Sequence, residues 1–527
     1  MTKLKTIFFA ASALALLGVS ACKDPSDGTG GDSSGTLTPK YRIFFSVGRG
    51  SGTLKAEVDG VKINSGDQVE KDKTLVFTAE PDAGYVVKQW TEGYNTAITE
   101  AGTDKTYTYT VTANATIRVE FKVLPAPLVE GGASLILSPD KLDITVTVIT
   151  SDGTPVTVEG CTETTIPSGT ETVLHAKGTK VILKGKITEL EVGDYFSSNS
   201  NKLTALNVQG LNALKRLGCC YNKLTALNVQ GLNALQTLYC WDNQLTALNV
   251  QGCTALQELH CHHNQLTALN VQGLTALLGL YCHHNQLTEL NVQGLALKGL
   301  YCGGNQLTAL NVQGLNALQV LEFSETQLNA IDVQGLTALQ ELYCAGNQLT
   351  ALNVQGLTTL QRLDCEGNQL TALDVQGLPA LKELDCGGNQ LTVLNVQGCT
   401  ALKELKCYGN QLTELNVQGC TALQEMDCQR NQLTALNVQG CTALRQLICG
   451  GNQLTAQAFT KLFDDLPQRV DSDNAKCVLY TEQTGVIEGN HTDFSAPPDL
   501  AAAFNNAKTV KNWKMYKYNG NWPWEEI

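Results

Sequence analysis

The sequence predicts a mainly β protein organised around a solenoid, and three observations predict it. A 21-residue unit returns along the chain with asparagine at 201, 222, 243, 264, 285, 305, 347, 368, 389, 410, 431 and 452. Within each unit, leucine, valine and cysteine hold fixed offsets, as in Leu235, Leu238, Cys240 and Leu245. A unit this short cannot bury its own apolar side chains, so neighbours must stack into one continuous core.

The unit reads Leu-x-x-Leu-x-Cys-x-x-Asn-x-Leu, as in Leu235, Leu238, Cys240, Asn243 and Leu245. It resembles the leucine-rich repeat. Its 21-residue length, with cysteine where leucine usually stands, is most similar to the internalin-J type of bacterial surface protein, over roughly Ile187 to Gln457. The resemblance implies a parallel β-sheet on the concave face, fed by segments such as Leu238 to Trp241. It also implies an extended or 3-10 convex side, an α/β C-terminal cap, and a role in binding macromolecules without an active site.

Taken in order, the chain divides into seven parts. Residues 1–21 carry Lys3 and Lys5 ahead of an apolar run from Ile7 to Val19, too short to span a bilayer and suited to export. Val19-Ser20-Ala21-Cys22 resembles the bacterial lipoprotein signal, which implies acylation of Cys22 and anchoring by that lipid alone. Lys23-Asp24 resembles the signal that sends Bacteroidetes lipoproteins to the outer face of the outer membrane, so an outer-membrane lipoprotein exposed at the cell surface is expected. Residues 22–40, rich in Gly, Ser, Thr and Asp, read as a flexible tether. Residues 41–123 alternate apolar and polar side chains between turn residues, as in Thr74 to Thr78, and form a small β domain. Gly52-Thr53-Leu54-Lys55-Ala56, Thr78-Ala79-Glu80-Pro81, Gly84-Tyr85, Trp90 and Val119-Glu120-Phe121 resemble the divergent InlB B-repeat module. Pro125-Ala126-Pro127 marks a joint, and 124–137 reads as a linker. Residues 138–190 supply an N-terminal β cap and a first degenerate repeat, needed to cover the open end of the solenoid. The repeats occupy 191–457. In 458–527, Phe459, Leu462, Phe463 and Leu466 recur at helical spacing ahead of Pro467.

Of 19 cysteines, eleven share one repeat position: Cys219, Cys240, Cys261, Cys282, Cys302, Cys344, Cys365, Cys386, Cys407, Cys428 and Cys449. Stacked strands lie within Cα range of a disulfide, but parallel side-chain vectors disfavour its dihedral, so a buried thiol ladder is expected. The asparagine column is expected to satisfy backbone groups at the turns. One coil departs, with Phe323 and Thr326 at the cysteine and asparagine positions, and the coil before it lacks a residue at Gly294-Leu295-Ala296-Leu297.

If Leu238 and Cys240 point inward, positions 237, 239 and 241 point outward in every coil. The variation between coils falls there. One outward column runs Tyr239, His260, Tyr281, Tyr301, Glu322, Tyr343, Asp364, Asp385, Lys406 and Asp427, beside Trp241, His262 and His283. The face is aromatic and histidine-rich early and acidic late. Tyr239, Trp241, His260, His262, Tyr281, His283, Tyr301 and Tyr343 are the expected ligand contacts, since large rings with polar tips suit protein or glycan partners on host or neighbouring cells. His260, His262 and His283 are the candidate zinc or copper ligands, and duplication of a Cys-His-His-Asn segment explains them without a metal; the acidic half suits calcium or a basic segment, although carboxylates at sheet spacing lack the looped cage calcium prefers. A net charge of -13 argues against nucleic acid or an anionic membrane surface. No nucleophile motif, phosphate loop or acid/base pair stands out, so neither an enzyme nor a cofactor is expected. Adhesion through the concave face leads, and self-association as a structural protein of the surface or biofilm is the alternative.

Overall fold

The computed structural model describes residues 38–50, 52–82, 85–93, 96–97, 103–123, 125–193, 201–483, 488–520 and 523–527. Cys22, with the signal peptide and most of the tether, lies outside the described residues.

The small β domain runs from the strand Lys40–Arg49 to the strand Ala115–Val123 and consists of two sheets. Alternation along Thr74–Pro81 turns Leu75, Phe77 and Ala79 inward, where they meet Ile43, Trp90, Ile117 and Val119 in a core separate from that of the repeats. Trp90 is fully buried, and its indole N–H donates to the carbonyl of Asp104 at 2.9 Å, so the ring is buried with its polar atom satisfied.

The N-terminal cap begins earlier than the sequence suggests. Gly132–Leu137, assigned above to the linker, is a strand buried at every residue. It pairs antiparallel with Lys180–Lys184 on one side and Leu203–Asn207 on the other. Ala-Ser-Leu-Ile-Leu is apolar on both faces, as a strand covered on both sides must be, and the proline-rich joint ahead of it masked that signal. The cap strand Ile187–Glu191 starts the parallel series.

From there each coil contributes a three-residue strand, and Leu217, Leu238, Leu259, Leu280, Leu300 and Leu321 stand in exact Cα register down the sheet. The series is part of an 18-stranded sheet that ends on Lys476–Thr481, Lys514–Tyr518 and Glu525–Glu526. On the convex side, Ala226–Asn228 with Ala247–Asn249, and Leu373–Asp374 with Val393–Asn395 and Glu414–Asn416, form short ladders of their own. The helix Ala456–Asp465 starts at Thr455, whose side chain accepts from the Ala458 N–H, and it buries Phe459, Leu462 and Phe463 against the last coils. Pro467 cannot continue it.

The asparagine column works as expected and reaches further. In a typical rung, Asn264 Oδ1 accepts from the Leu245 N–H of the preceding coil at 2.9 Å. Its Nδ2 donates to the Cys240 and Cys261 carbonyls at 3.0 and 3.1 Å. From Asn222 to Asn452 the residue before the asparagine is left-handed, with φ near +52° at His263 and His284, which is why glycine holds that place in many coils. The column continues into the C-terminal cap on Asn490, which accepts from Leu454 and donates to Cys449 and Leu479.

All cysteines among the described residues are buried with free thiols. Burial pushes the Cys261 thiol up to about 12 and the other ladder thiols above their ordinary value. Since the thiolate is the reactive form, these groups are inert while the coil is folded. In the shortened coil, the turn that elsewhere closes on a Leu277 N–H to Leu274 carbonyl bond at 3.0 Å has no equivalent, because one residue rather than two separates Leu295 from Leu297. Phe323, fully buried, stands directly beside it in register with Cys302.

Two outcomes follow from this packing. Alkylation of the native protein should leave the ladder thiols unmodified, and denaturation should then release them all as titratable thiols; bridges between adjacent ladder positions in a peptide map would refute this. Inserting threonine after Leu295 should lower the unfolding midpoint, because a full-length coil leaves less room for Phe323 and overpacking costs about 1 to 3 kcal/mol. An unchanged or raised midpoint would separate the two irregularities.

Candidate functional site

The inward leucine and cysteine of each strand fix the outward residues on either side of them. Of the eight residues expected to contact a ligand, Tyr239, His260, Tyr281, Tyr301 and Tyr343 lie on the strands of the sheet and Trp241, His262 and His283 two residues beyond their strands' ends, each half-buried between its neighbours. Seven of them form one assembly. Because successive strands are in register, the rings stack along the solenoid axis in parallel columns. His260 lies on Tyr281 with centroids 3.9 Å apart, and Tyr281 on Tyr301 at 4.5 Å. In the neighbouring column Trp241 lies on His262 at 5.3 Å, and His262 on His283 at 4.4 Å. At the turn, His263 lies on His284 at 4.5 Å. Tyr239 closes the first column edge-on, 4.7 Å from His260, with the Arg216 guanidinium 4.8 Å from its ring centroid.

Burial sets the charge state of this stack. It lowers His262 to about 3, helped by the neighbouring imidazoles, and His260 and His283 to about 4. The Nδ1 atoms of His262 and His283 are buried without a hydrogen-bond partner. These imidazoles are neutral at neutral pH. Because their folded values lie below the unfolded one, the stability they contribute is present above pH 6.5 and declines as pH falls towards 4.

Of the three histidines named as metal ligands, His262 and His283 stack on each other, while His260 lies in the neighbouring column on Tyr281, 6.1 Å from His262 between ring centroids. Among the described residues, the group with ligand atoms mutually within 4.8 Å is Asp364, Glu366 and Asp385. Tyr343 is the eighth expected contact, and the structure removes it from the aromatic stack. Glu322 stands between it and Tyr301, and its hydroxyl donates to Glu341 at 2.9 Å. It belongs instead to an acidic cleft of about 120 Å³ bordered by Arg362, Asp364, Glu383, Asp385, Glu404 and Lys406. Burial, with repulsion from Asp364 and Glu366, raises Asp385 to about 6 in spite of Lys406.

Sequence reasoning missed Tyr408, Glu366 and the position of Glu322. Tyr408 sits at the offset of Trp241 and His262 in a later coil, lies over Gly387, and donates its hydroxyl to Glu366. That offset was its signal. Glu322 was visible only as one acidic member of a column; the two backbone N–H groups that hold its carboxylate come from the fold.

Residues 50–124 match the family model of the divergent InlB B-repeat domain. Among solved structures, the chain is similar to the functional domain of InlJ from Listeria monocytogenes, which includes a cysteine ladder, at 26% identity over 65% of this chain and 75% of that one, with TM-score 0.48. It is similar to the internalin InlF of Listeria monocytogenes at 24% identity over 51% of this chain and 82% of that one, TM-score 0.44. It is also similar to YopM from Yersinia enterocolitica at 23% identity over 63% and 64%, TM-score 0.48. A search of the curated proteins gave no match. Its in-register coils and buried cysteine ladder make the chain a leucine-rich-repeat solenoid, and its residues 50–124 match the divergent InlB B-repeat domain.

Proposed function

We propose that this protein is a cell-surface lipoprotein, anchored through Cys22, that mediates adhesion by binding a macromolecular partner on its concave face. The observation that carries the reading is the ring assembly from Tyr239 to Tyr301. A half-buried, contiguous group of aromatic and imidazole rings on a rigid sheet supplies contact area with polar tips at little entropic cost. The convex side offers the opposite, a repetition of Thr, Ala, Asn and Gln in which the amides are engaged in the coil itself. Gln251, for example, donates to the Asn270 carbonyl at 2.9 Å. No helix among the described residues is long and apolar enough to cross a membrane. Attachment by the lipid rests on the Val19-Ser20-Ala21-Cys22 signal, with self-association as the alternative mode of action.

Replacing Trp241 and Tyr281 together by alanine should weaken adhesion by about 2 kcal/mol or more while the circular dichroism spectrum stays that of the parent. If adhesion survives and is lost instead on deleting the β domain at 41–122, the solenoid is chiefly a stalk. Cys22→Ala should abolish acylation and release the protein from the membrane fraction; stable attachment after a salt wash would contradict a single lipid anchor.

A further inference from the structure

The ring columns stop at one place. The coil after His283 and His284 carries Gly303 and Gly304 at the same two positions. Because that coil has no side chains there, the stack ends in a slot of about 300 Å³, with His283, His284 and Tyr301 on one side and Glu322, Ser324 and Glu325 on the other.

Glu322 is held in this slot. Its Oε2 accepts from the Gly303 N–H at 3.0 Å and its Oε1 from the Ser324 N–H at 2.9 Å. The carboxylate thereby occupies the room a side chain at 303 would need, since a Cβ added there would lie 2.2 Å from Oε1. Burial pushes this carboxyl up, against the pull of the two N–H groups, so a cation beside it would be stabilised. The His284 ring lies over Gly304, where an added Cβ would clash with its Nδ1, so the His283 imidazole on one wall and the carboxylates on the other define the complement: a flat cation with N–H donors in its own plane. Guanidinium has all three properties, whereas an ammonium has charge but no faces. His283, neutral at neutral pH, does not repel it.

We propose that this slot binds an arginine side chain of a partner polypeptide, the guanidinium continuing the imidazole stack and pairing with Glu322 and Glu325. This rests on the concave face being the binding surface. Two observations favour a polypeptide as the source. Beyond the slot the outward positions hold Glu341, Asp364, Glu383, Asp385, Glu404, Glu425 and Asp427 against Arg362 and Lys406, a surplus that suits a basic segment. From Glu322 to Asp427 is five coils, or about 24 Å at ~4.8 Å per strand, which about seven extended residues span. In the other direction, Tyr281 is covered on both faces by His260 and Tyr301, and His262 by Trp241 and His283, so a sugar ring finds no open face on those two central rings.

The test is NMR of the full chain with labelled histidine rings, titrated with N-acetyl-arginine amide, its citrulline and lysine counterparts, and a nine-residue peptide of one arginine followed by alternating glycine and lysine. The arginine amide should shift His283 and His284, the flat but neutral citrulline amide should not, and the lysine amide should bind about tenfold more weakly. The peptide should bind about tenfold more tightly than the amide, and less so as salt rises. Glu325→Gln, at an exposed side chain outside the backbone bonds, should weaken the arginine amide about tenfold at unchanged Tm. Glu322→Gln should weaken it further. Equal binding of lysine or citrulline, shifts at other histidines only, or no effect of Glu325→Gln would overturn the slot. A peptide no tighter than the amide would overturn the polypeptide source. Adhesion lost in the Trp241 and Tyr281 double variant with no arginine response would sink the slot alone; an arginine response with adhesion intact in that variant would sink the adhesive reading alone.

Discussion

The side-chain amide that ties each coil to the one before it is the interaction on which the rest of this structure depends. At every turn off the concave sheet the backbone is buried and leaves groups that no strand can pair. One asparagine supplies an acceptor to the N–H of the leucine in the previous coil and donors to two cysteine carbonyls. Leaving such buried groups unpaired costs on the order of 1–3 kcal/mol each, so no apolar residue can replace it. The column begins at Asn201, which bonds Thr145 in the N-terminal cap, and ends at Asn490 in the C-terminal one. Thr326 interrupts it with a hydroxyl 2.6 Å from Asn347 Oδ1, in the same coil where Phe323 replaces cysteine. Turn and core change together there because the amide bonds to the backbone of the residue that packs the core.

Register is what turns this column into a surface. Once every coil is held at the same offset, identical positions meet across strands, and whatever the outward residues are, they become columns. Rings then stack on rings and carboxylates face carboxylates. The chemistry of the face follows: imidazoles driven neutral by burial in the first half, and in the second carboxyls raised by burial, with mutual repulsion added at Asp364 and Asp385. A single glycine pair is enough to end a stack.

The fold was legible because periodicity and register are sequence properties. The offsets of Leu238 and Cys240 fixed which side chains turn outward, and the same offset placed Trp241, His262 and His283 side by side. The helix at Ala456–Asp465 was visible in the spacing of Phe459, Leu462 and Phe463. What escaped depended on contacts between distant segments. The strand Gly132–Leu137 has partners 44 or more residues away and sits beside prolines that read as a joint. Asn490 lies outside the 21-residue phase, so nothing in the periodicity marked it. Tyr343 shares a column with Tyr301, but the column says nothing of the carboxylate between them, and only side-chain positions show that the ring belongs to the acidic cleft. The slot at Gly303 is the same case, for a missing side chain is informative only when its neighbours are in place.

Because each coil rests almost wholly on its immediate neighbours, with the Tyr408–Glu366 bond reaching across one coil, the solenoid also has a mechanical character. One coil stores 21 residues within about 4.8 Å of axial length. If a terminal coil is pulled away, it releases on the order of 70 Å of chain at ~3.4 Å per residue, while the coils behind it keep their own rungs and core. Tension applied along the solenoid would therefore be met by successive yielding of single units, and the length gained at each step would far exceed the thickness lost from the stack.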